Sequence, residues 1–204
     1  MSANGQEIEA KFYVRGLKAI EDKLITLGAT CAVPRGFEYN LRFDDADGSL
    51  NRQHKVLRLR KSNDVRLTFK GPAERRGGAL ARTEIEIVVN DFDTALQFIE
   101  SLGYRVFGVY EKYRAMYELD GALVTLDELP YGNFVEVEGE NPDAIAAVAQ
   151  KLGLNPAAAI PASYQGLFER LKAAKDLPAK NLTFWEFEKT KITPEDLGVS
   201  PADI

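Results

Sequence analysis

Glu7, Glu9 and Lys11 sit at alternate positions in the stretch EIEAKFYV, with Ile8, Ala10, Phe12 and Val14 between them. Strict alternation is the period of a β-strand. A strand turns the two carboxylates and the amine to one face, with neighbours about 7 Å apart. Two like charges at that spacing repel by about 2 kcal/mol at an intermediate dielectric. Similar charged pairs recur along the chain. Acids stand at Glu84 and Glu86, at Asp127, and at Glu136 and Glu138; bases stand at Arg58 and Arg60, at Arg66 and Lys70, and at Lys112 and Arg114. Arginines two apart on adjacent strands form a dense cationic patch, costly by self-repulsion unless anions sit in it. Guanidinium forks suit phosphate oxygens. Paired carboxylates facing such a patch would collect a hard divalent cation that bridges to phosphate. An antiparallel sheet with one solvated face produces the same alternation, so no single pair is decisive.

These side chains need strands to carry them. Alternation marks strands in EIEAKFYV, FEYNLRFD (37–44), VLRLRK, VRLTFKG, RTEIEIVV, EKYRAMYEL, ALVTLDEL and NFVEVEGE, eight in all. In the second, Glu38, Asn40, Arg42 and Asp44 share a face. Helices are expected in GLKAIEDKLITLG, DFDTALQFIESLG and NPDAIAAVAQKLG, each with apolar residues at helical spacing and a closing glycine. A fourth, SYQGLFERLKAAK, opens on a Ser163 cap. Glu-x-Glu, then a helix, then Leu-Gly occurs three times, from Glu7, Glu84 and Glu136. Its spacing is too irregular for a solenoid, and it reads as one unit reused inside one domain. After residue 176 the texture changes. Residues 176–204 read as an extension packed on the 1–175 domain through Phe184, Trp185 and Phe187, with TPED opening a short helix. Amphipathic helices would cover the apolar strand faces. The expected class is α+β: a curved or closed antiparallel sheet, helices outside, charges facing a wet interior. Periodicity does not distinguish a closed sheet from a flat one.

The 204 residues carry a net charge of −5 and only one cysteine and one histidine. Cys31 alone excludes an intramolecular disulfide, suits a reducing cytoplasm, and is expected to be a small apolar filler. With His54 the only histidine, a zinc site of usual ligands is nearly excluded, and any metal must be held by carboxylates, which favours magnesium, manganese or calcium. His54 falls in a polar turn and is expected to be solvated. GPAERRGGALA lacks the phosphate-loop pattern; it reads as a flexible hairpin loop or a lid over the site. Tyr13 and Tyr39 are expected to pack. No apolar run is long enough to span a membrane, and MSANGQ has no apolar signal core. Negative charge, with bases on faces shared with acids, argues against nucleic acid.

The chain resembles the CYTH superfamily of triphosphate tunnel metalloenzymes. EIEAKFYV looks like its Glu-x-Glu-x-Lys signature. FEYNLRFDDADGSLNRQHKVLRLRK, LTFKGP, RTEIEI, EKYR, LDELPYGNFVEVEG and SYQGL follow in the family's order, over roughly residues 5–172. The resemblance implies an eight-stranded antiparallel β-barrel whose charged faces line a tunnel. It implies Mg²⁺ or Mn²⁺ held by Glu7, Glu9, Asp127, Glu136 and Glu138. It implies a triphosphate held by Lys11, Arg58, Arg60, Lys70, Lys112 and Arg114, with Lys11 and Lys70 the catalytic residues of the set, and Arg66, Arg82, Glu84 and Glu86 as tunnel wall. Many relatives have Gln-x-Asp-x-Tyr where this chain has Glu38, Asn40 and Arg42, which bears on how the non-phosphate end is recognised. The substrate class is tripolyphosphate, thiamine triphosphate or ATP. Hydrolysis by water and cyclisation of ATP to cyclic AMP and pyrophosphate use the same grip. A non-catalytic polyphosphate binder is a third reading, against which the acidic set argues. A monomer or homodimer is expected.

Overall fold

The computed structural model describes residues 6–203. Nine strands and seven α-helices alternate through it. In chain order they are β1 (Gln6–Val14), α1 (Leu17–Thr26), β2 (Thr30–Asp44), α2 (Ser49–Arg52), β3 (Val56–Lys61), β4 (Val65–Lys70), β5 (Glu74–Arg76), β6 (Ala79–Val89), α3 (Phe92–Ser101), β7 (Arg105–Leu119), β8 (Ala122–Leu129), β9 (Gly132–Glu138), α4 (Pro142–Lys151), α5 (Tyr164–Lys175), α6 (Phe184–Phe187) and α7 (Pro194–Leu197). All sheet pairings are antiparallel, in the order β1-β9-β8-β7-β2-β3-β4-β6, and β6 returns to β1 through Glu7↔Arg82 and Ile8↔Ala81. The sheet is therefore a ring of eight strands. Closure is what turns an alternating polar face into an interior one.

The ninth strand, β5, lies in the expected loop GPAERRGGALA. It continues the β4 side after Gly71 and pairs with Ala79–Ala81 of β6, so this stretch is a hairpin. Strand β2 starts seven residues earlier than its alternation suggests. Register shifts between Cys31 and Val33 and between Val33 and Gly36 break the period there. Cys31 lies in this irregular segment and is exposed, not an apolar filler as expected.

Caps explain where the helices begin. The side chains of Asp91, Asn141 and Ser163 accept from the N–H of Thr94, Ala144 and Gly166, opening α3, α4 and α5. Helices α1 and α4 cover the outer face of β1, β9, β8 and β7, burying Phe12, Val14, Val135 and Val137 completely or nearly so. Helix α3 packs Ile99 against Leu41, Phe43 and Leu59 of β2 and β3. The cover is incomplete: on β6 Ile85 and Ile87 stay 58% and 54% exposed.

A third cluster closes one end of the ring. Helix α5 brings Leu167, Phe168 and Leu171 against Tyr13 and Phe134, and Tyr13 meets Phe134 edge-on at 5.4 Å. The segment after α5 joins this cluster through Leu182, Phe187 and Leu197. It is stitched to the ring by backbone. Leu182 donates to Val109 and accepts from Glu111, and Ala202 donates to Tyr13. Phe187 is buried and Phe184 meets the Tyr113 ring at 5.4 Å, but Trp185 is 73% exposed and does not pack as expected. TPED does open a helix, α7, with Thr193 and Asp196 forming a reciprocal capping box. Tyr39 packs on Phe92. His54 is exposed in a turn with positive φ. Among the described residues no helix is long and apolar enough to cross a membrane.

Candidate functional site

A cavity of about 510 Å³ occupies the inside of the ring, and every residue the resemblance assigns to metal, triphosphate or tunnel wall lines it except Asp127. The antiparallel register explains the convergence. Glu9 lies across from Glu138, Lys11 from Glu136, Arg82 from Glu7, Lys70 from Glu84, and Arg114 from Asp127. Acids and bases on facing strands neutralise one another across the sheet, except at Glu9 and Glu138, where two acids face each other.

The repulsion between Glu7 and Glu9 has a local answer. Arg82 spans both, with Nε 2.9 Å from Glu7 and Nη2 3.2 Å from Glu9. Lys70 adds contacts of 3.0 Å to Glu7 and 2.8 Å to Glu84. Burial pushes the Glu7 carboxyl up, but Lys70 and Arg82 outweigh it and hold it far below the usual range. Glu84 goes the other way: burial and the Glu7 charge raise it despite Lys70. Glu138 is also raised, by burial and by Glu7, Glu84 and Glu9. Glu7, Glu9, Glu84 and Glu138 thus form an all-oxygen donor set in which neighbouring acid charge raises Glu84 and Glu138, a penalty that a hard divalent cation would relieve. As they stand, with Arg82 and Lys70 bound to them, no three acidic, histidine or cysteine side chains among the described residues are grouped as a metal site. The donor chemistry fits the cation; Glu7, Glu9 and Glu138, with Glu84, are the residues that would hold it.

Glu136 and Asp127 belong to a different arrangement. Glu136 is 2.7 Å from both Lys11 and Arg114. Burial raises its carboxyl, yet Lys11, Arg114 and Lys112 hold it well below the usual range. Asp127 is fully buried and accepts from Arg114 Nε at 2.7 Å, Arg114 Nη2 at 2.5 Å, Lys112 Nζ at 3.1 Å and the Tyr164 hydroxyl at 2.8 Å. Both its oxygens are engaged, Oδ1 by one donor and Oδ2 by three, and it does not line the cavity. Its geometry is that of a residue positioning Lys112 and Arg114, unlike the ligand role the resemblance implies.

Opposite lies the cationic wall. Arg58 donates to Thr68 at 3.0 Å, Tyr110 at 3.2 Å and Glu86 at 3.3 Å. Arg66 reaches Glu86 at 2.7 Å, and Arg60 meets Glu38 at 3.4 Å. Lys11 lies 4.3 Å over the Tyr164 ring. Burial alone would lower its pKa, but Glu136 and Glu9 raise it, so Lys11 is a fixed cation near neutral pH.

Several lining residues were given no role from the sequence. Glu38 and Arg42 were noted only as a departure from the relatives' pattern, and Tyr110 shares an inward face with Lys112 and Arg114, so the alternation held its signal. Tyr164 carries no such signal, because it belongs to a helix. Glu38 is the shared counter-ion of the cationic wall. Burial raises its carboxyl, but Lys112, Arg114, Arg60 and Arg58 bring it from 4.5 down to about 2. A depressed carboxylate stabilises the fold above its unfolded pKa, and that contribution is lost as pH falls through the folded value. Glu38→Gln should therefore cost on the order of 3 kcal/mol at pH 7. Between about pH 5 and pH 2 the variant should lose stability less steeply than the parent. Denaturant unfolding at several pH values checks this; parallel curves would remove Glu38 from the electrostatic balance.

Comparisons with known proteins agree with this geometry. The CYTH domain profile matches residues 5–164. A Methanocaldococcus jannaschii protein named "putative adenylate cyclase" is 24% identical over 134 residues, 65% of this chain and 75% of its own length. The crystal structure of a Vibrio parahaemolyticus protein with the same name superposes with a TM-score of 0.73 at 22% identity, covering 81% of this chain and 99% of that one. A Hippeastrum adenylyl cyclase homologue, described as having a dominant triphosphatase activity, superposes with a TM-score of 0.62 at 20% identity, covering 80% and 95%.

Proposed function

The chain belongs to the CYTH domain family, and on that premise we propose that it is a metal-dependent hydrolase of a compact triphosphate. The observation that carries this reading is the cavity lining. Cations from six strands of the ring face inward, yet the aromatic residues among the lining are only Tyr110 and Tyr164. Neither offers a free ring to a purine. Tyr164 has Lys11 at 4.3 Å and Lys112 at 5.5 Å over its face, and Tyr110 is half-buried, its hydroxyl accepting from Arg58. The site grips charge strongly and aromatic bases weakly.

Lys11, Arg58, Arg60, Lys70, Lys112 and Arg114 would bind the phosphoryl oxygens, their charge fixed by the carboxylates behind them. A preorganised cationic wall stabilises charge as it develops on the leaving phosphate without reorganising during the reaction. Glu7, Glu9 and Glu138 would hold the Mg²⁺ or Mn²⁺, which supplies Lewis-acid polarisation of a phosphoryl oxygen. Because Lys11 stays protonated, its role is electrostatic and not that of a proton carrier. Asp127 and Glu136 keep Arg114 and Lys11 oriented, and water is the nucleophile.

The second reading is a cyclase making cyclic AMP and pyrophosphate from ATP. It is favoured by an apolar patch in the lining, Val33, Met116 and Leu123, where Val33 and Met116 are cross-strand partners. Cyclisation also requires the ribose hydroxyl to be aligned with the α-phosphorus, and positioning of that kind contributes many kcal/mol. The product spectrum separates the two. With Mg²⁺ or Mn²⁺, phosphate release from tripolyphosphate should outpace turnover of ATP. Cyclic AMP plus pyrophosphate as the main products from ATP would overturn the hydrolase reading.

A further inference from the structure

Among the described residues, every lysine and arginine lining the cavity has a carboxylate at salt-bridge distance except Arg42. Its nearest acid in sequence, Asp44, is committed elsewhere, accepting from the backbone N–H of Asp45, Leu50 and Asn51 to start α2. Arg42 instead lies 5.9 Å over the Phe107 ring. Its cross-strand partner on β3 is another cation, Arg58, so the pair repels where side chains are close.

Neighbouring polar atoms also lack partners, among them the donors Arg58 Nε and Asn40 Nδ2. Arg58 spends its terminal nitrogens on Tyr110, Thr68 and Glu86, and its Nε has no partner. Asn40, two residues before Arg42 on the same inward face, is completely buried, and neither its amide nitrogen nor its oxygen is bonded. Leaving a buried donor unpaired costs about 1–3 kcal/mol. Burial lowers the Arg42 pKa; Tyr110 and the Asp44 charge offset part of this, and the charges of Arg82 and Arg58 add to it. The other cavity cations are raised or paired, so this corner is the one that gains most from an anion.

We propose that Arg42, with Arg58 beside it, binds an oxyanion additional to the triphosphate held by the rest of the cavity. This rests on the triphosphate reading of the site. The anion is a phosphoryl group, either the fourth phosphate of a linear polyphosphate or a separately bound orthophosphate. A chain carrying phosphate at both ends satisfies Arg42; a nucleoside triphosphate presents a neutral sugar and base there instead. Arg42 then selects for inorganic chains over nucleotides.

The test is calorimetric titration in EDTA of the parent, Arg42→Gln and Arg42→Lys with tripolyphosphate, tetrapolyphosphate and orthophosphate. EDTA removes both hydrolysis and metal binding from the readout. Tetrapolyphosphate should bind the parent about tenfold or more tightly than tripolyphosphate, the gain of one charge-assisted contact. Arg42→Gln should erase that increment while leaving tripolyphosphate affinity within about threefold, and Arg42→Lys, which keeps the charge, should retain part of it. Saturable orthophosphate binding that needs Arg42 and persists with tripolyphosphate bound would assign the site to the free ion. Tripolyphosphate binding by the parent with no Arg42-dependent increment for either ligand would overturn this inference alone. Failure of the parent to bind any polyphosphate, in EDTA and again with Mg²⁺ restored, would overturn both it and the triphosphate reading.

Discussion

EDTA should abolish phosphate release from tripolyphosphate, and Mg²⁺ or Mn²⁺ should restore it. The expectation follows from the donor set. Glu7, Glu9, Glu84 and Glu138 all face the cavity, all are hard oxygen donors, and burial with mutual repulsion raises Glu84 and Glu138. Arg82 and Lys70 neutralise part of that charge, yet two carboxyls remain raised. Removing one carboxylate should therefore weaken the metal more than it weakens the fold. Glu138→Gln should raise the metal concentration for half-maximal rate by roughly 10–100-fold, the scale of losses seen on altering metal-site partners. Glu9→Gln should do the same and also free one fork of Arg82, which now donates to Glu9 at 3.2 Å. The pH dependence has a definite sign. A raised carboxyl must lose its proton before it can bind a cation, so metal affinity should climb as pH rises through the raised range of Glu84 and Glu138 and flatten above it. Full activity of Glu9→Gln and Glu138→Gln at limiting Mg²⁺ would sink the assignment.

The features legible in the sequence were those that repeat with a period. Charged residues two apart on β1, β3, β6, β7 and β9, and four apart on β4, marked both the strands and the side chains that face inward. The same alternation carried Glu38 and Arg42, which were noted but given no ionic partners because nothing in a strand period says which residue opposes which. Ring closure was invisible for that reason: it depends on β1 finding β6 through pairs such as Glu7↔Arg82, residues far apart in the chain. The start of β2 was lost where bulges around Val33 break the alternation. Short β5 offers three exposed residues with no apolar partner face. The terminal segment shows the limit of composition. Phe184, Trp185 and Phe187 look alike as aromatic neighbours, but only the last is buried, because a helix of four residues presents one face to the cluster.

Asp127→Asn should destabilise the metal-free protein by about 3–5 kcal/mol, the range for breaking a buried ion pair from one side. The carboxylate is completely inaccessible and answers four donors from three side chains, Lys112, Arg114 and Tyr164. An amide keeps the shape but offers one acceptor oxygen, and its NH₂ turns donors toward donors. Lys112 is itself almost fully buried, so its charge would be left with Glu38 at 3.6 Å as the only remaining acid within reach among the described residues. For a chain of this size the loss corresponds to a fall in melting temperature of roughly 6–20 °C. Activity should fall as well, because Arg114 would be held by Glu136 alone, at 2.7 Å, and a misplaced guanidinium loses the fork geometry that phosphate demands. The measurement that separates a positioning residue from a ligand is thermal unfolding in EDTA. A ligand has nothing to lose there, since its partner is already gone. A positioning residue loses all its contacts whether or not metal is bound. A normal melting temperature in EDTA together with a raised metal requirement would return Asp127 to the metal-binding acids. A depressed one, with the metal requirement unchanged, places it beneath the tunnel wall as the anchor of Lys112 and Arg114.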